Sequence, residues 1–298
     1  MNKKEIEVWF KNLQDKICHA LEVADGQGKF AEDLWRREPG GGGRTRVIQN
    51  GSIIEKGGVN FSAVFGPTPA KILDALGLSE SEFYATGVSI VLHPHNPMVP
   101  IIHMNVRYFE MSNGVNWFGG GIDLTPHYVL EEDAQYFHSE LKRMCDLHHP
   151  EYYAKFKQWA DDYFYIKHRT ETRGIGGIFF DRLTETDDIS IEERWKFVQE
   201  IGSSFAEIYT HFMRKNNDIP FTEENKLWQH IRRGRYAEFN LVWDKGTKFG
   251  LDTDGRTESI LMSLPPMAEW HYNFVPAPQS AEEKTLQFLK KGIDWINK

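Results

Sequence analysis

The sequence contains little cysteine and no long apolar run. Only Cys18 and Cys145 are present among 298 residues, without CxxC or iron–sulfur spacing. Two isolated thiols fit a reducing compartment and argue against a disulfide-stapled scaffold. No apolar stretch approaches the roughly 20 residues of a membrane-spanning helix. The amino terminus has mixed charge, unlike a signal or transit peptide. We therefore expect a cytoplasmic protein without membrane insertion.

Several function classes lack their sequence signatures. The net charge of −8 argues against a nucleic-acid partner. The chain has no GxxxxGK[ST] and no GxSxG, and its GIGGIF segment lacks the third glycine of GxGxxG. Dinucleotide, flavin and nucleotide-triphosphate chemistry therefore have no visible support, and we expect no organic cofactor. A redox reaction would need a diffusible acceptor or a metal.

The residues that are present predict one mixed α/β domain over residues 1–298. Aromatic residues reach 13%, and nine tryptophans indicate a large core or a flat apolar pocket. Predicted strands follow one another through short loops, whereas helices occur in blocks, which favours a large antiparallel sheet. Periodicity predicts helices at 4–24, 69–77, 131–149, 151–170, 191–216 and 282–298. It predicts strands at 57–66, twice within 87–111, and at 116–126, 174–183, 237–243, 247–253 and 258–266.

The segment 87–111 carries an unusual polar pattern. Alternation along its second strand places Ile102, Met104, Val106 and Tyr108 on one face, opposite His103, Asn105 and Arg107. In its first strand, Ser89 and His93 lie opposite three aliphatic residues. Such side chains bind acidic ligands or move protons, so this face is predicted to be the floor of a site.

Two carboxylates are candidates for the same site. Asp123 follows three glycines, which permit close approach of backbone or ligand. Asp244 is predicted to share one face of a strand at 237–243 with Glu238 and Asn240. A carboxylate there could accept ligand N–H groups or act as a base, or it could be the buried partner of an arginine.

The arginines are candidates for binding carboxylate or phosphate. Alternation places Arg107 beside His103 and Asn105, which favours a functional role. Further candidates are Arg256, in the segment DGRTES, and Arg44 and Arg46, in the segment GGGGRTR. For Arg232 and Arg233 the pattern favours a solvated basic patch.

Four histidines on separate elements could converge on a divalent metal: His93, His103, His138 and His168. Alternatively, His138 and His168, on predicted helices, are core histidines or histidines paired with carboxylates. The spacing matches no local metal motif, and the second interpretation is favoured.

The motifs WRREPGGGGRTRV, GVNFS, GVSIVLHPHNP, HMNVRYFE, WFGGGIDLTP, DDYFYIKHR, RGIGGIFFD, RRGRYAEFNLVWDKGTKFGL and GRTESILMSLPP occur in order along nearly the whole chain. With them the sequence resembles oxygen-dependent coproporphyrinogen III oxidase. The resemblance implies a large antiparallel sheet with helices on both faces and a homodimer built through 236–271. It also implies oxidative decarboxylation of the ring A and B propionates of coproporphyrinogen III to vinyls. Dioxygen would be the acceptor, and protoporphyrinogen IX, carbon dioxide and hydrogen peroxide the products.

The resemblance also assigns residues. It implies substrate contacts by Ser89, Asn105, Val106, Arg107, Gly255 and Arg256, with Asp254 departing from the glycine of bacterial relatives. It makes His103 a proton donor, Asp123 and Asp244 functional carboxylates, and the four histidines above a divalent-metal set. We expect Asp244 to engage the pyrrole N–H groups.

Two alternatives are considered beside this function. The radical enzyme that performs this decarboxylation anaerobically needs a CxxxCxxC motif, which the sequence lacks. A porphyrin-binding carrier without turnover would share the same binding features, and only an aerobic assay would separate it from an enzyme.

Overall fold

Alternating side chains and short connections produce one antiparallel sheet of seven strands. The computed structural model describes residues 2–68, 73, 81–252 and 255–298. The strand order is β1-β2-β3-β4-β5-β6-β9. The strands are β1 (Ala31–Arg36), β2 (Gly41–Gln49), β3 (Ile54–Pro67), β4 (Glu82–Pro94), β5 (Ile101–Met111), β6 (Asn116–Thr125) and β9 (Gly177–Leu183), while β7 (Tyr165–Ile166) and β8 (Glu171–Thr172) form a separate hairpin.

Helices cover the sheet and connect its last strands. They are α1 (Lys3–Asp25), α2 (Glu131–Asp146), α3 (Tyr152–Tyr163), α4 (Ile191–Asn216), α5 (Glu223–Glu238), α6 (Lys245–Asp252), α7 (Thr257–Leu261) and α8 (Ala281–Phe288). A π-helical turn, Phe239–Trp243, continues α5. Among the helices of these described ranges, none is long and apolar enough to cross a membrane.

The main core lies between the apolar face of the sheet and helices α1, α2 and α4. Residues Val88, Ile90 and Leu92 of β4 and Met104 and Val106 of β5 are fully buried there. The opposite face is partly covered by α5, the π-turn and α7, since Asn60 of β3 donates to the Ser259 carbonyl at 2.9 Å. The predicted mixed α/β fold, with helices on both faces of one sheet, is confirmed.

Three predicted strands are wrong. Residues 237–243 end α5 and form the π-turn, 247–253 fall largely in α6, and 258–266 begin in α7. Phe239 is fully buried whereas Leu241 is 49% exposed, so the two do not share a face as strand alternation requires. Tyr236, Phe239 and Trp243 instead recur at helical spacing, which a short segment cannot distinguish from alternation.

Two predicted helices end early, and one lies outside the described residues. The helix predicted over 151–170 ends at Tyr163, and His168 lies in the turn of the β7–β8 hairpin instead. The closing helix ends at Phe288, followed by Gly292 at a φ of 78°, a conformation that interrupts a helix. The helix predicted at 69–77, except Leu73, lies outside the described residues, and so does Asp254, whereas Gly255 and Arg256 are described.

Candidate active site

The polar face predicted from strand alternation is present in the sheet. Cross-strand pairing places Ser89 opposite Asn105, and Asn105 opposite Gly121. One pair along, His103 lies opposite Asp123. Val106 belongs to the other face and is fully buried in the core, so its side chain does not contribute to this surface. This face of β4, β5 and β6 therefore gathers the side chains of Ser89, Asn105, His103 and Asp123, with Val91 as the apolar β4 partner of His103.

His103 and Asp123 form a hydrogen-bonded pair at the centre of this face. Nδ1 of His103 lies 2.7 Å from Oδ1 of Asp123, whose side chain is 2% exposed. Burial raises the pKa of the Asp123 carboxyl, but Arg173 and His103 outweigh burial and hold that pKa below its ordinary value. Because an ionised carboxylate only accepts, Nδ1 of His103 carries the hydrogen, and Nε2 is the nitrogen that can serve a ligand.

The second oxygen of Asp123 is bound by Arg173, which precedes β9. Nη2 of Arg173 donates to Oδ2 of Asp123 at 2.6 Å, and Nη1 donates to Asn240 at 2.9 Å. The guanidinium lies 4.3–4.7 Å from the ring centroids of Phe164, Tyr236 and Phe239. Asp123 is thus the buried partner of an arginine, which is one of its two predicted roles, and it also lies on the polar face.

Arg107 lies at the β9 side of the polar face. It donates to Asn105 Oδ1 at 2.8 Å and to Asp181 Oδ1 at 3.0 Å, and its side chain is 37% exposed. A Cβ on Gly119 would lie 2.5 Å from Asp181 Oδ1 and 2.9 Å from Arg107 Nε. Because Gly119 has no Cβ, the Arg107 guanidinium has room above β6, and part of its surface is open to an anion.

Arg256 lies at the opposite border of the same face. It precedes α7, pairs with Asp33 of β1 and donates to Ser259 Oγ at 3.2 Å. Ser259 Oγ lies 2.9 Å from Thr45 Oγ1 on β2. The backbone N–H of Gly255 donates to the Gly250 carbonyl at 2.8 Å. Two arginines thus border the polar face: Arg107 on β5, with its guanidinium above β6, and Arg256 above β1 and β2.

Asp244 is not on a strand but at the start of α6. Its Oδ2 accepts from the Thr247 N–H and hydroxyl at 2.7 and 2.8 Å, and its Oδ1 accepts from Tyr163 Oη at 2.7 Å. It therefore caps the helix amino terminus. Burial raises the pKa of Asp244, but these hydrogen bonds outweigh burial and keep that pKa below its ordinary value. Tyr163 stacks on Phe179 of β9 at 4.3 Å between centroids, which joins Asp244 to the edge of the polar face.

The four histidines of the expected metal set have separate partners. Nε2 of the fully buried His93 lies 2.8 Å from the carbonyl oxygen of Ser263. His138 uses both ring nitrogens, which lie 2.9 Å from Tyr153 Oη and 3.0 Å from the Ile175 carbonyl. Nε2 of His168 lies 2.9 Å from Glu238 Oε2.

This geometry does not fit one metal ion held by all four histidines. In the ranges that the structure describes, no three His, Cys, Asp or Glu side chains form a group that could hold a metal. His168 is paired with a carboxylate, as the alternative interpretation expected, whereas His138 is a buried core histidine bonded to a hydroxyl and a carbonyl.

The remaining predicted arginines serve other parts of the fold. Arg232 and Arg233 are 4% and 0% exposed, so the predicted solvated patch is wrong. They bind Glu171 at 2.9 Å and Glu55 at 2.6 Å, and such pairing makes burial possible. Arg44 and Arg46 both pair with Asp15 of α1, and neither contacts the polar face.

Sequence reasoning missed three residues of this site: Arg173, Asp181 and Tyr163. Arg173 and Asp181 bracket the RGIGGIFFD motif, and Tyr163 lies in DDYFYIKHR. Each is a single polar group without periodic neighbours, so local patterning gives no signal for it. Alternation along 177–183 would have placed Asp181 on the same face as Phe179 and Gly177, two and four residues away.

The fold and this face together define a class of protein. An antiparallel sheet presents a histidine–carboxylate pair between two arginines, an arrangement suited to binding a polycarboxylate and transferring a proton. A family model described as Coproporphyrinogen III oxidase matches residues 5–295. The chain belongs to the coproporphyrinogen III oxidase family. It is therefore an enzyme of porphyrin and haem biosynthesis, and the family implies coproporphyrinogen III as its substrate.

Proposed function

We propose that this chain oxidatively decarboxylates the ring A and ring B propionates of coproporphyrinogen III to vinyl groups, with dioxygen as the electron acceptor. Each turnover consumes one propionic acid side chain and one dioxygen and gives one vinyl, one carbon dioxide and one hydrogen peroxide. The β-carbon hydrogen and the carboxyl hydrogen leave with the two electrons that reduce dioxygen. After two rounds the product is protoporphyrinogen IX. No organic cofactor takes part.

The observation that best supports this function is the polar face of the sheet, which has an arginine at each border. Arg107 stands on β5, whereas Arg256 contacts β1 and lies above β2. The Arg107 guanidinium lies above Gly119 of β6, so four to five strand spacings of about 4.8 Å separate it from the Arg256 guanidinium above β1 and β2, or roughly 19–24 Å. We propose that a flexible macrocycle with carboxylates around its rim lies between these two guanidinium groups. Phe164 packs beside His103, and the partly buried ring of Phe179, which packs against Phe164, offers apolar contact for the pyrroles.

Asp244 and His103 take different roles in this proposal. Asp244 accepts the pyrrole N–H, which favours deprotonation and makes the ring electron-rich enough to react with dioxygen. Oδ1 of Asp244 accepts one bond from Tyr163 and retains a second lone pair for that purpose. His103, with Nδ1 bound to Asp123, exchanges a proton through Nε2. The peroxide formed on the substrate then takes the β-hydrogen as carbon dioxide leaves.

An aerobic and anaerobic comparison tests the reaction. Purified, chelator-treated protein should convert coproporphyrinogen III to protoporphyrinogen IX in air, release hydrogen peroxide, and stop under strict anoxia. Full anaerobic turnover would contradict the role of dioxygen. Tight substrate binding without any turnover in air would instead favour the carrier. Loss of turnover on chelation, restored by a divalent ion, would return the histidines to consideration as metal ligands.

We further propose that the chain works as a homodimer through the segment 236–271. The strands predicted within this segment are absent from its described residues, 236–252 and 255–271, but large apolar side chains are exposed. Leu241, Val242, Phe249, Leu251, Met267 and Trp270 are 42–56% exposed. Exposed apolar groups gathered on one segment indicate a surface that is covered by a partner.

Sedimentation at micromolar concentration tests the dimer. The wild type should sediment at twice the chain mass, and Val242→Asp should shift it toward the monomer. Val23→Asp is the matched control, because Val23 is also exposed, at 69%, but lies on α1. An active wild-type monomer, or equal effects of both substitutions, would contradict this interface.

A further inference from the structure

Arg173 occupies an unusual position for a charged residue. It is 3% exposed, and its Nε has no hydrogen-bond partner among the described residues. A buried guanidinium is unfavourable unless acceptors and aromatic faces replace its water. Here Asp123 and Asn240 are the acceptors, and three aromatic rings surround the group. Its orientation is therefore fixed from several sides.

The two acceptors belong to different parts of the site. Asp123 lies on the sheet and holds Nδ1 of His103. Asn240 lies in the π-turn, which ends where the Asp244 N–H donates to the Phe239 carbonyl at 2.9 Å. One rigid, planar group thus bridges the element that carries His103 and the element that carries Asp244. Single π-helical turns occur frequently at functional sites.

We propose that Arg173 is a positioning residue that fixes the His103–Asp123 pair and the Asp244 turn relative to each other. The proposal rests on the proposed function for its kinetic consequences. Its structural part concerns this chain alone: Arg173 occupies one oxygen of Asp123, so the other oxygen binds Nδ1 of His103 and leaves Nε2 for a ligand. The fork of a guanidinium is needed, because two acceptors in different directions are bound by one planar group.

Arg173→Lys is the principal variant, since it keeps the charge and removes the fork. We expect kcat to fall about 10- to 100-fold, as for a small misplacement of reacting groups, with KM changed less than about threefold. Arg232→Lys is the matched control. Arg232 is also buried, binds Glu171 at 2.9 Å and lies 5.6 Å from the Trp228 ring, but does not contact the polar face. Both variants should lose similar thermal stability, and only Arg173→Lys should lose kcat.

A double variant separates positioning through Asp123 from an independent effect. If Arg173 acts through Asp123, the kcat of Asp123→Asn/Arg173→Lys should stay within about threefold of Asp123→Asn alone. If the loss of kcat in the double variant instead equals the product of the two single losses, Arg173 does not act through Asp123. Asn240→Ala leaves the buried ion pair intact and tests the link to the π-turn, and it remains informative should Arg173→Lys fail to fold. Unchanged kcat in Asn240→Ala would refute that link.

Nitrogen-15 spectra of the imidazole groups give a readout that does not need turnover. At fixed pH, the His103 signal, assigned by its loss in His103→Gln, should show the Nδ1–H form in the wild type and in Arg232→Lys. In Arg173→Lys it should shift toward a mixture of the two neutral forms. If the wild type shows no turnover but Arg173→Lys still shows this shift, the proposed function is rejected and the positioning role is kept. An unchanged His103 signal, or unchanged kcat in Arg173→Lys, would overturn the positioning role itself.

Discussion

Replacing Asp244 by asparagine should reduce catalysis far more than stability. Asparagine is as good a helix cap as aspartate, so its oxygen can keep the 2.7 Å bond from the Thr247 N–H. Its amide nitrogen then faces Tyr163 Oη, which can accept. What is lost is the negative charge at a helix amino terminus, about 0.3–1 kcal/mol of stability. Deprotonation of a pyrrole N–H needs that charge, so kcat should fall on the order of 100-fold with a smaller rise in KM.

Two further variants calibrate this result. Asp244→Ala loses the cap and the acceptor of Tyr163, so its free energy of unfolding should fall by about 1–3 kcal/mol. Thr247→Val removes the 2.8 Å hydroxyl bond to Asp244 but leaves the carboxylate. It should lose about 0.5–1.5 kcal/mol of stability and keep most of kcat. Urea unfolding followed by circular dichroism, together with steady-state kinetics, measures both quantities on the same proteins.

The pH dependence of stability gives an independent check. The pKa of Asp244 is lowered below its ordinary value of 3.8 in the folded chain, where burial acts against the hydrogen bonds and the hydrogen bonds prevail. A lowered pKa stabilises the fold above the ordinary value, and that stabilisation is lost as pH falls through the folded-state value. The difference between wild type and Asp244→Asn should therefore vanish below that pH. If Asp244→Asn unfolds the chain, the residue is structural; if it folds with wild-type kcat, carboxylate-assisted deprotonation is wrong.

Three other outcomes are expected. Arg107→Ala should mainly raise KM, corresponding to about 1.5–3 kcal/mol for a lost charged hydrogen bond, and an unchanged KM would remove Arg107 from propionate binding. Gly119→Ala should fold with stability within about 1 kcal/mol of wild type but raise KM, because its Cβ would displace Arg107; kinetics with normal KM would contradict this. Glu238 accepts from Arg169, His168 and Arg235, which outweigh burial and lower its pKa from 4.5 to about 2. Glu238→Gln should therefore be less stable than wild type at pH 7, and this difference should shrink as pH falls from 4.5 toward 2 in urea unfolding; a constant difference would refute the assignment.

The polar face could be predicted from sequence because two long strands each bury one side. When one face of a strand is buried, register and orientation are fixed for every residue, so His103, Asn105 and Arg107 had to share the other face. The same reasoning correctly placed Ser89 and kept Val106 in the apolar set. Cross-strand pairing then brings Asp123 to His103, although twenty positions separate them.

The Asp244 region could not be predicted in the same way. Seven residues, from Ala237 to Trp243, satisfy strand alternation and helical spacing about equally well. The outcome depends on the preceding helix α5 and on a cap that only the folded chain reveals. Arg173 was missed for a related reason: its partner Asp123 lies fifty residues away in the sequence, and a single buried arginine leaves no periodic trace. Histidine spacing, likewise, carries no information about which partners each ring meets.

The charges at the site decide which group can supply a proton in the proposed reaction. Asp123 and Asp244 are both buried in part or whole, and burial alone would favour their neutral forms. For Asp123, the charge of Arg173 and the bond from His103 outweigh burial and lower the pKa. For Asp244, the hydrogen bonds from Tyr163 and Thr247 outweigh burial and lower the pKa. At neutral pH each carboxylate is therefore an acceptor and cannot donate. In the proposed reaction His103, whose Nδ1–H is bound to Asp123, takes up a proton on Nε2 and returns it from the same atom, while Asp244 is the acceptor that we propose for a pyrrole N–H.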